Sequence, residues 1–164
     1  MSALVLVGPM GVGKTTIGKK LAKAMDRQFI DSDAVITSTH GSIPEIFDRS
    51  GEAYFRGLEE DVVIQHLPEN IVLATGGGAV LSETTRAALA SAFVVYLATD
   101  GRHMASRLQG GDRPLLKNGL TDWRRIYESR KHLYEQVADL TVDTSAKPLA
   151  QIILEIKTGY SKHA

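Results

Sequence analysis

Gly8-Pro9-Met10-Gly11-Val12-Gly13-Lys14-Thr15 fits the spacing G-x-x-x-x-G-K-[ST] in full. Residues of these types, so spaced, gather phosphate. Glycines let successive backbone N–H groups converge on phosphate oxygens, and a helix beginning at Lys14 adds its positive end. Lys14 would reach the β- and γ-phosphates of a nucleoside triphosphate, and the Thr15 hydroxyl would ligate Mg²⁺. The pattern requires an apolar strand before it and an amphipathic helix after it. Leu4–Val7 supplies the strand, and Ile17, Leu21 and Met25, four apart, give Lys14–Met25 one apolar face. Alone, the motif does not separate ATP from GTP, or kinase from ATPase or switch. There is no Asn-Lys-x-Asp guanine reader. Asp48-Arg49-Ser50-Gly51 fits the short D-x-x-G switch pattern but follows a capped helix rather than a strand. A motor or helicase ATPase needs a much longer chain, which leaves a small phosphotransferase.

Asp31-Ser32-Asp33 stands at the carboxyl end of a strand candidate, Gln28–Ile30. Ligands of open α/β sheets bind outside such ends, and residues two apart in an extended segment face the same way. One carboxylate could hold the hydration shell of Mg²⁺ while the other accepts a proton from an acceptor hydroxyl. Equally, Ser32 or Asp33 could cap a helix through Ala34–Ser38. Gly76-Gly77-Gly78, after the run Ile71–Ala74, suits either close approach of a ligand to the main chain or a plain strand-end turn. Arg56 adjoins Phe55 near the start of a helix from Glu52 to His66, where a lone arginine is usually solvated. Arg130 falls on the apolar stripe Trp123, Tyr127, Tyr134, Val137 of a helix over Thr121–Ala138. There a guanidinium must meet an anion, either an internal carboxylate or a substrate carboxylate gripped by two prongs. Arg113, within the Gly-rich stretch Gln109–Gly119, could swing over the phosphates or remain solvated.

The elements that must position these residues alternate along the chain. Leu4–Val7, Ile71–Ala74 and Phe93–Leu97 are continuous apolar runs, the mark of strands buried on both faces of a parallel sheet. Leu140–Val142 is a weaker strand candidate, and Ser42-Ile43-Pro44-Glu45 reads as a capping box. Further helices follow Ser82 and carry Leu149, Ile152, Ile153 and Ile156. Such alternation gives an α/β domain with right-handed crossovers. The 164 residues suit one domain with its own core. Nineteen basic and nineteen acidic side chains cancel, which argues against nonspecific nucleic-acid binding. The absence of cysteine excludes disulfides, thiolate nucleophiles and cysteine-ligated zinc. No leader or membrane span is visible, so a soluble cytoplasmic protein is expected, with a frayed tail after Thr158.

In this order the residues resemble the shikimate kinase family, over about residues 4–155. The landmarks are Gly8 to Gly18, Phe29-Ile30-Asp31-Ser32-Asp33, Gly51-Glu52 with Phe55-Arg56, Leu73 to Gly78, Arg113-Pro114-Leu115-Leu116, and Arg130 with Leu133-Tyr134. The phosphate loop is widely shared, whereas the combination of the others is specific. The resemblance implies one three-layer α/β/α domain over residues 1–164, of P-loop kinase fold, with a five-stranded parallel sheet ordered 2-3-1-4-5. It implies an acceptor-binding region at about 33–62 and a mobile lid at about 109–119. The implied reaction moves the γ-phosphate of ATP to the 3-hydroxyl of shikimate, on the route to chorismate and the aromatic amino acids. The chain is expected to act as a monomer, away from nucleic acid and membrane. By resemblance, Asp33 contacts substrate hydroxyls and is the candidate base, with Lys14 and Arg113 beside it in catalysis. Arg56 and Arg130 clamp the shikimate carboxylate, and Gly76, Gly77 and Gly78 offer backbone to its hydroxyls. Phe47 and Phe55 line the pocket, and Glu59 orients Arg56. Gly11, Val12, Gly13, Lys14, Thr15 and Thr16 hold ATP, and Asp31 holds Mg²⁺ through water beside Thr15. Arg113 is the lid arginine, and Arg107 and Pro148 form the adenine slot. Two features depart from the family pattern. Arg130-Lys131-His132-Leu133-Tyr134 lacks a proline, and the segment from Arg107 to Arg113 is one residue short. The rival readings are a kinase of another small hydroxy acid, such as gluconate, and a silent ATP-binding regulatory module. The module's mark would be loss of the acidic pair or lid arginine, and both are present.

Overall fold

A computed structural model describes residues 2–108 and 114–163. Its strands follow the apolar runs: β1 (Leu4–Val7), β2 (Gln28–Asp31), β3 (Ile71–Ala74), β4 (Phe93–Ala98) and β5 (Leu140–Asp143). They form one sheet in the order β2-β3-β1-β4-β5, and every pairing is parallel. Every residue of the inner strands β1 and β3 is buried, whereas the edge strands β2 and β5 are largely half-buried or exposed. That is why the inner strands read as unbroken apolar runs and the edges as weak candidates.

The helices are α1 (Lys14–Ala24), α2 (Ser32–His40), α3 (Ile43–Ser50), α4 (Glu52–His66), α5 (Glu83–Ala88), α6 (Met104–Arg107), α7 (Leu120–Val137) and α8 (Leu149–His163). Alternate residues of a strand face opposite ways, and the core divides accordingly. Leu4, Leu6 and Val72 pack with Ile17 and Leu21 of α1 and Ile152 and Ile156 of α8. Val5, Val7 and Leu73 pack with Val63 of α4 and Trp123, Tyr127 and Tyr134 of α7. A small satellite core of Ile36, Ile46 and Phe55 ties α2 and α3 to α4. The three-layer α/β/α arrangement and the sheet order are those the resemblance implied.

Caps fall where side-chain chemistry places them. Ser42 accepts from the Glu45 N–H at 3.3 Å and Ser82 from the Thr85 N–H at 3.0 Å, opening α3 and α5. The frayed tail expected after Thr158 is not found, because α8 runs on to His163. Its last turns have partners: the Tyr160 and His163 rings lie 5.2 and 4.7 Å from that of Phe93, and Arg27 donates to the Tyr160 hydroxyl at 2.8 Å. Of the lid expected at 109–119, residues 109–113, Arg113 included, lie outside the described residues. Pro114–Gly119 forms turns closed by Gly119 N–H to Leu116 O and Asn118 N–H to Asp122 Oδ2. Among the described residues no helix is long and apolar enough to cross a membrane.

Candidate active site

The loop between β1 and α1 has the backbone its glycines foretold. Gly8, Gly11 and Gly13 have φ of 152°, 78° and 104°, values that residues with a Cβ rarely adopt. No side chain caps α1, so its first N–H groups remain available to a ligand. Lys14 Nζ donates to the carbonyls of Gly8 and Pro9 at 2.7 and 2.8 Å. The loop floors a cleft of about 660 Å³ with Gly11, Val12, Gly13, Lys14, Thr15 and Thr16, a volume suited to a cofactor-sized molecule.

Asp31 and Asp33 both face this cleft, but strand alternation is not the reason. The helix begins at Ser32 rather than Ala34, and its N-cap is Asp31 rather than Ser32 or Asp33. Asp31 Oδ1 accepts from the Asp33 N–H at 3.0 Å, and its Oδ2 accepts from the Thr15 hydroxyl at 2.9 Å. One carboxylate therefore closes the helix and reaches the phosphate loop. The cap turn brings Asp33 to the same side, within the first turn of α2, where the helix dipole favours its anion.

A second cavity of about 140 Å³ adjoins the cleft, and Met10, Asp33, Gly76 and Gly77 line both. Phe47, Phe55, Arg56, Glu59, Gly78 and Arg130 complete it, with Ile43, Pro114 and Leu115. The Phe47 and Phe55 rings are 5.2 Å apart. Arg56 is held by Glu59 at 2.9 Å and by Glu52 at 3.2 Å, with its guanidinium over Phe55. Arg130 is 6% exposed. Among the described residues no carboxylate lies within ion-pair distance of it, but it attracts the buried Glu59 carboxylate, so an internal carboxylate and a substrate carboxylate both remain open as its partner.

The glycine triplet serves neither a turn of positive φ nor mere punctuation. None of the three has positive φ. A Cβ on Gly76 would lie 2.5 Å from Glu59 Oε2 and 2.9 Å from Asp33 Oδ1, and one on Gly78 would lie 2.4 Å from Arg56 Nη1. The site's own charged side chains fill the space a Cβ would need. The buried Tyr134 hydroxyl, its pKa pushed up to about 12 chiefly by burial, donates to Gly77 O at 2.5 Å.

Burial raises the Glu59 carboxyl to about 6 despite the opposing pull of Arg56. Its Oε2 has no hydrogen-bond partner among the described residues. A carboxyl whose pKa is raised on folding binds protons more tightly when folded, so its contribution is full below about 4.5 and is lost as pH rises through about 6. The shift corresponds to about 2 kcal/mol. Glu59→Gln should remove this component. Denaturant unfolding of the variant, relative to wild type, should gain stability between pH 4.5 and 7; a pH-independent difference would show that Glu59 does not titrate in this window.

Arg107 lines the far side of the cleft and donates to Gly11 O at 3.0 Å. Pro148 does not line it. Its carbonyl accepts the Gln151 N–H at the start of α8, and its neighbours Lys147 and Leu149 face the cleft with Thr144. Met10, Thr144 and Lys147 were not foreseen. No pattern marks the last two, since the β5–α8 connection brings them to the phosphate loop from the far end of the chain.

Residues 10–159 match the family described as shikimate kinase. A shikimate kinase of Pseudomonas entomophila is 43% identical over 162 residues, covering 95% of this chain and 94% of the relative. One of Streptomyces coelicolor is 46% identical over 148 residues, covering 88% and 86%. The solved structure of a shikimate kinase from Acinetobacter baumannii in complex with shikimate superimposes with a TM-score of 0.91 at 35% identity, covering 99% of this chain and 94% of that one.

Proposed function

Because the chain belongs to the shikimate kinase family, we propose that its larger cleft holds ATP, its smaller cavity holds shikimate, and phosphate passes where the two adjoin. The reaction moves the γ-phosphate of ATP to the 3-hydroxyl of shikimate, giving shikimate 3-phosphate and ADP. One observation carries the assignment of sites: Asp33, Gly76 and Gly77 belong to both cavities, and the smaller one contains a buried arginine. The test is ADP production with shikimate as acceptor, against a panel that includes gluconate. Strong dependence on shikimate supports the assignment. Equal rates with gluconate, or ATP binding without turnover, would replace it with one of the two rival readings.

In this reading the loop N–H groups and the end of α1 receive the phosphates, and Lys14 leaves its carbonyl partners for the transferring group. Arg56 and Arg130 grip the shikimate carboxylate while Phe47 and Phe55 pack its ring. Asp33 orients the 3-hydroxyl and takes its proton late, since a loose transition state asks little of a base. Positioning and charge neutralisation then supply most of the acceleration. Mg²⁺ fits beside the phosphate loop, where the Thr15 hydroxyl would hold it directly and the Asp31 carboxylate, hydrogen-bonded to that hydroxyl, would hold it through water. When bound, it would neutralise charge on the phosphate oxygens. Arg113, outside the described residues, is assigned to the phosphates as the lid arginine, and Arg107 to the nucleotide. The acceptor region at about 33–62 and the monomeric state belong to the same reading.

The carboxylate clamp makes a specific demand. Arg130→Lys should raise the shikimate KM on the order of tenfold to a hundredfold, because an ammonium cannot reproduce a planar two-pronged contact. ADP affinity measured without shikimate should hardly move. Strong loss of thermal stability with unchanged shikimate affinity would instead make Arg130 a structural residue.

A further inference from the structure

Trp123, the sole tryptophan of the chain, is 2% exposed on the inner face of α7. Its indole N–H donates to the carbonyl of Met10, within the phosphate loop, at 2.7 Å. A shape-filling role alone would not require this donor. The ring is already packed, with its centroid 5.2 Å from that of Tyr127 and its edge over Gly101, where an added Cβ would lie 2.9 Å away.

Met10 O belongs to the same peptide plane as Gly11 N–H. In a trans peptide the two point in opposite directions. Holding Met10 O toward α7 therefore turns Gly11 N–H away from α7, and Gly11 is one of the residues that line the cleft. That peptide is easily inverted, because Gly11 has φ 78° and no Cβ to resist rotation. Inversion would withdraw a donor from the phosphates and present a carbonyl oxygen to them. Lys14 braces the neighbouring carbonyls of Gly8 and Pro9, but the proposed function sends Lys14 to the phosphates during the reaction. Trp123 is neutral, buried and outside both cavities, so its bond need not be released.

We propose that Trp123 is a positioning residue for the nucleotide: its N–H pins the Met10–Gly11 peptide in the phosphate-receiving orientation. The inference rests on reading Gly8–Thr15 as the phosphate site. If inverted loops become populated, apparent nucleotide affinity falls by the fraction of competent loops, with little direct effect on shikimate.

The experiment uses the full chain with Trp123→Phe and Trp123→benzothienylalanine, the latter keeping the indole shape while replacing N–H by sulfur. ADP affinity is measured by calorimetry, and KM values for ATP and shikimate by ADP production. Both variants should weaken ADP binding and raise the ATP KM by about five- to tenfold, with the shikimate KM at saturating ATP unchanged. If Phe fails to fold, the isostere decides. ADP affinity within about twofold of wild type in the folded isostere overturns the proposal, even if Phe weakens binding, because packing would then be responsible. Equal losses for ADP and shikimate overturn it too. A wild-type chain that binds no ADP would first overturn the phosphate-site reading, and this proposal with it.

Discussion

Lys14→Met should lower kcat by about 10²–10³-fold or more while the protein remains folded. The side chain is only partly buried, and methionine is unbranched and one atom shorter, so the substitution opens no core cavity. What disappears is a charge on a flexible stem, held at 2.7 and 2.8 Å by two loop carbonyls beside the proposed phosphate position. Ground-state nucleotide binding also draws on backbone N–H groups and the uncapped end of α1, which the mutation leaves in place. ADP affinity should therefore fall much less than turnover. The decisive measurement is single-turnover ATP consumption with saturating shikimate, alongside a melting curve. A folded variant whose rate stays within about tenfold of wild type would remove Lys14 from the catalytic machinery.

Asp33→Asn should be nearly as damaging, lowering kcat by about 10²-fold, the low end of a general base's contribution because a loose transition state asks little of it. Asparagine keeps the shape and can still accept a hydrogen bond from a substrate hydroxyl, so the shikimate KM should change little. It cannot receive a proton as a carboxylate does, and it loses the anion that the first turn of α2 favours. The geometry makes the comparison clean: Asp33 lines both cavities, while the cap of α2 and the bond to Thr15 belong to Asp31 and survive the change. A rise in shikimate KM at unchanged kcat would reduce Asp33 to a binding group. The proton would then leave without a protein base.

Different parts of this architecture were readable for different physical reasons. The phosphate loop is contiguous, its glycines have to take positive φ, and its flanking strand and helix carry their own periodicities. β1 and β3 could be bounded to the residue because both faces are buried. The edges β2 and β5 gave weaker signals because all but one of their residues meet solvent at least in part, and no periodicity could state the sheet order, which came from resemblance alone. The acceptor cavity draws on Asp33, Phe47, Arg56, Gly78 and Arg130, from five separate segments. Arg130 could be singled out as a charge on an apolar stripe, but Arg56 looked like any surface arginine. At Asp31 the local rule misled in detail, since an aspartate ending a strand can start the next helix one residue later. The tail after Thr158 reads as a fraying terminus, yet Tyr160 and His163 find Phe93 across the fold. Lys147 and the bond from Trp123 to Met10 depend wholly on tertiary approach.

The sheet order also bears on synthesis. β1 is made first but lies in the middle of the sheet, with Leu4 opposite Val72 on one side and Phe93 on the other. Among the described residues β2 pairs only with β3. A nascent chain that stops short of Ile71 therefore carries the complete phosphate motif without any strand partner to shape it. Binding competence must arrive late, after long-range pairings that close slowly. Nucleotide can then stabilise the protein only as an assembled whole, by mass action on the native state, and has no hold on an amino-terminal fragment.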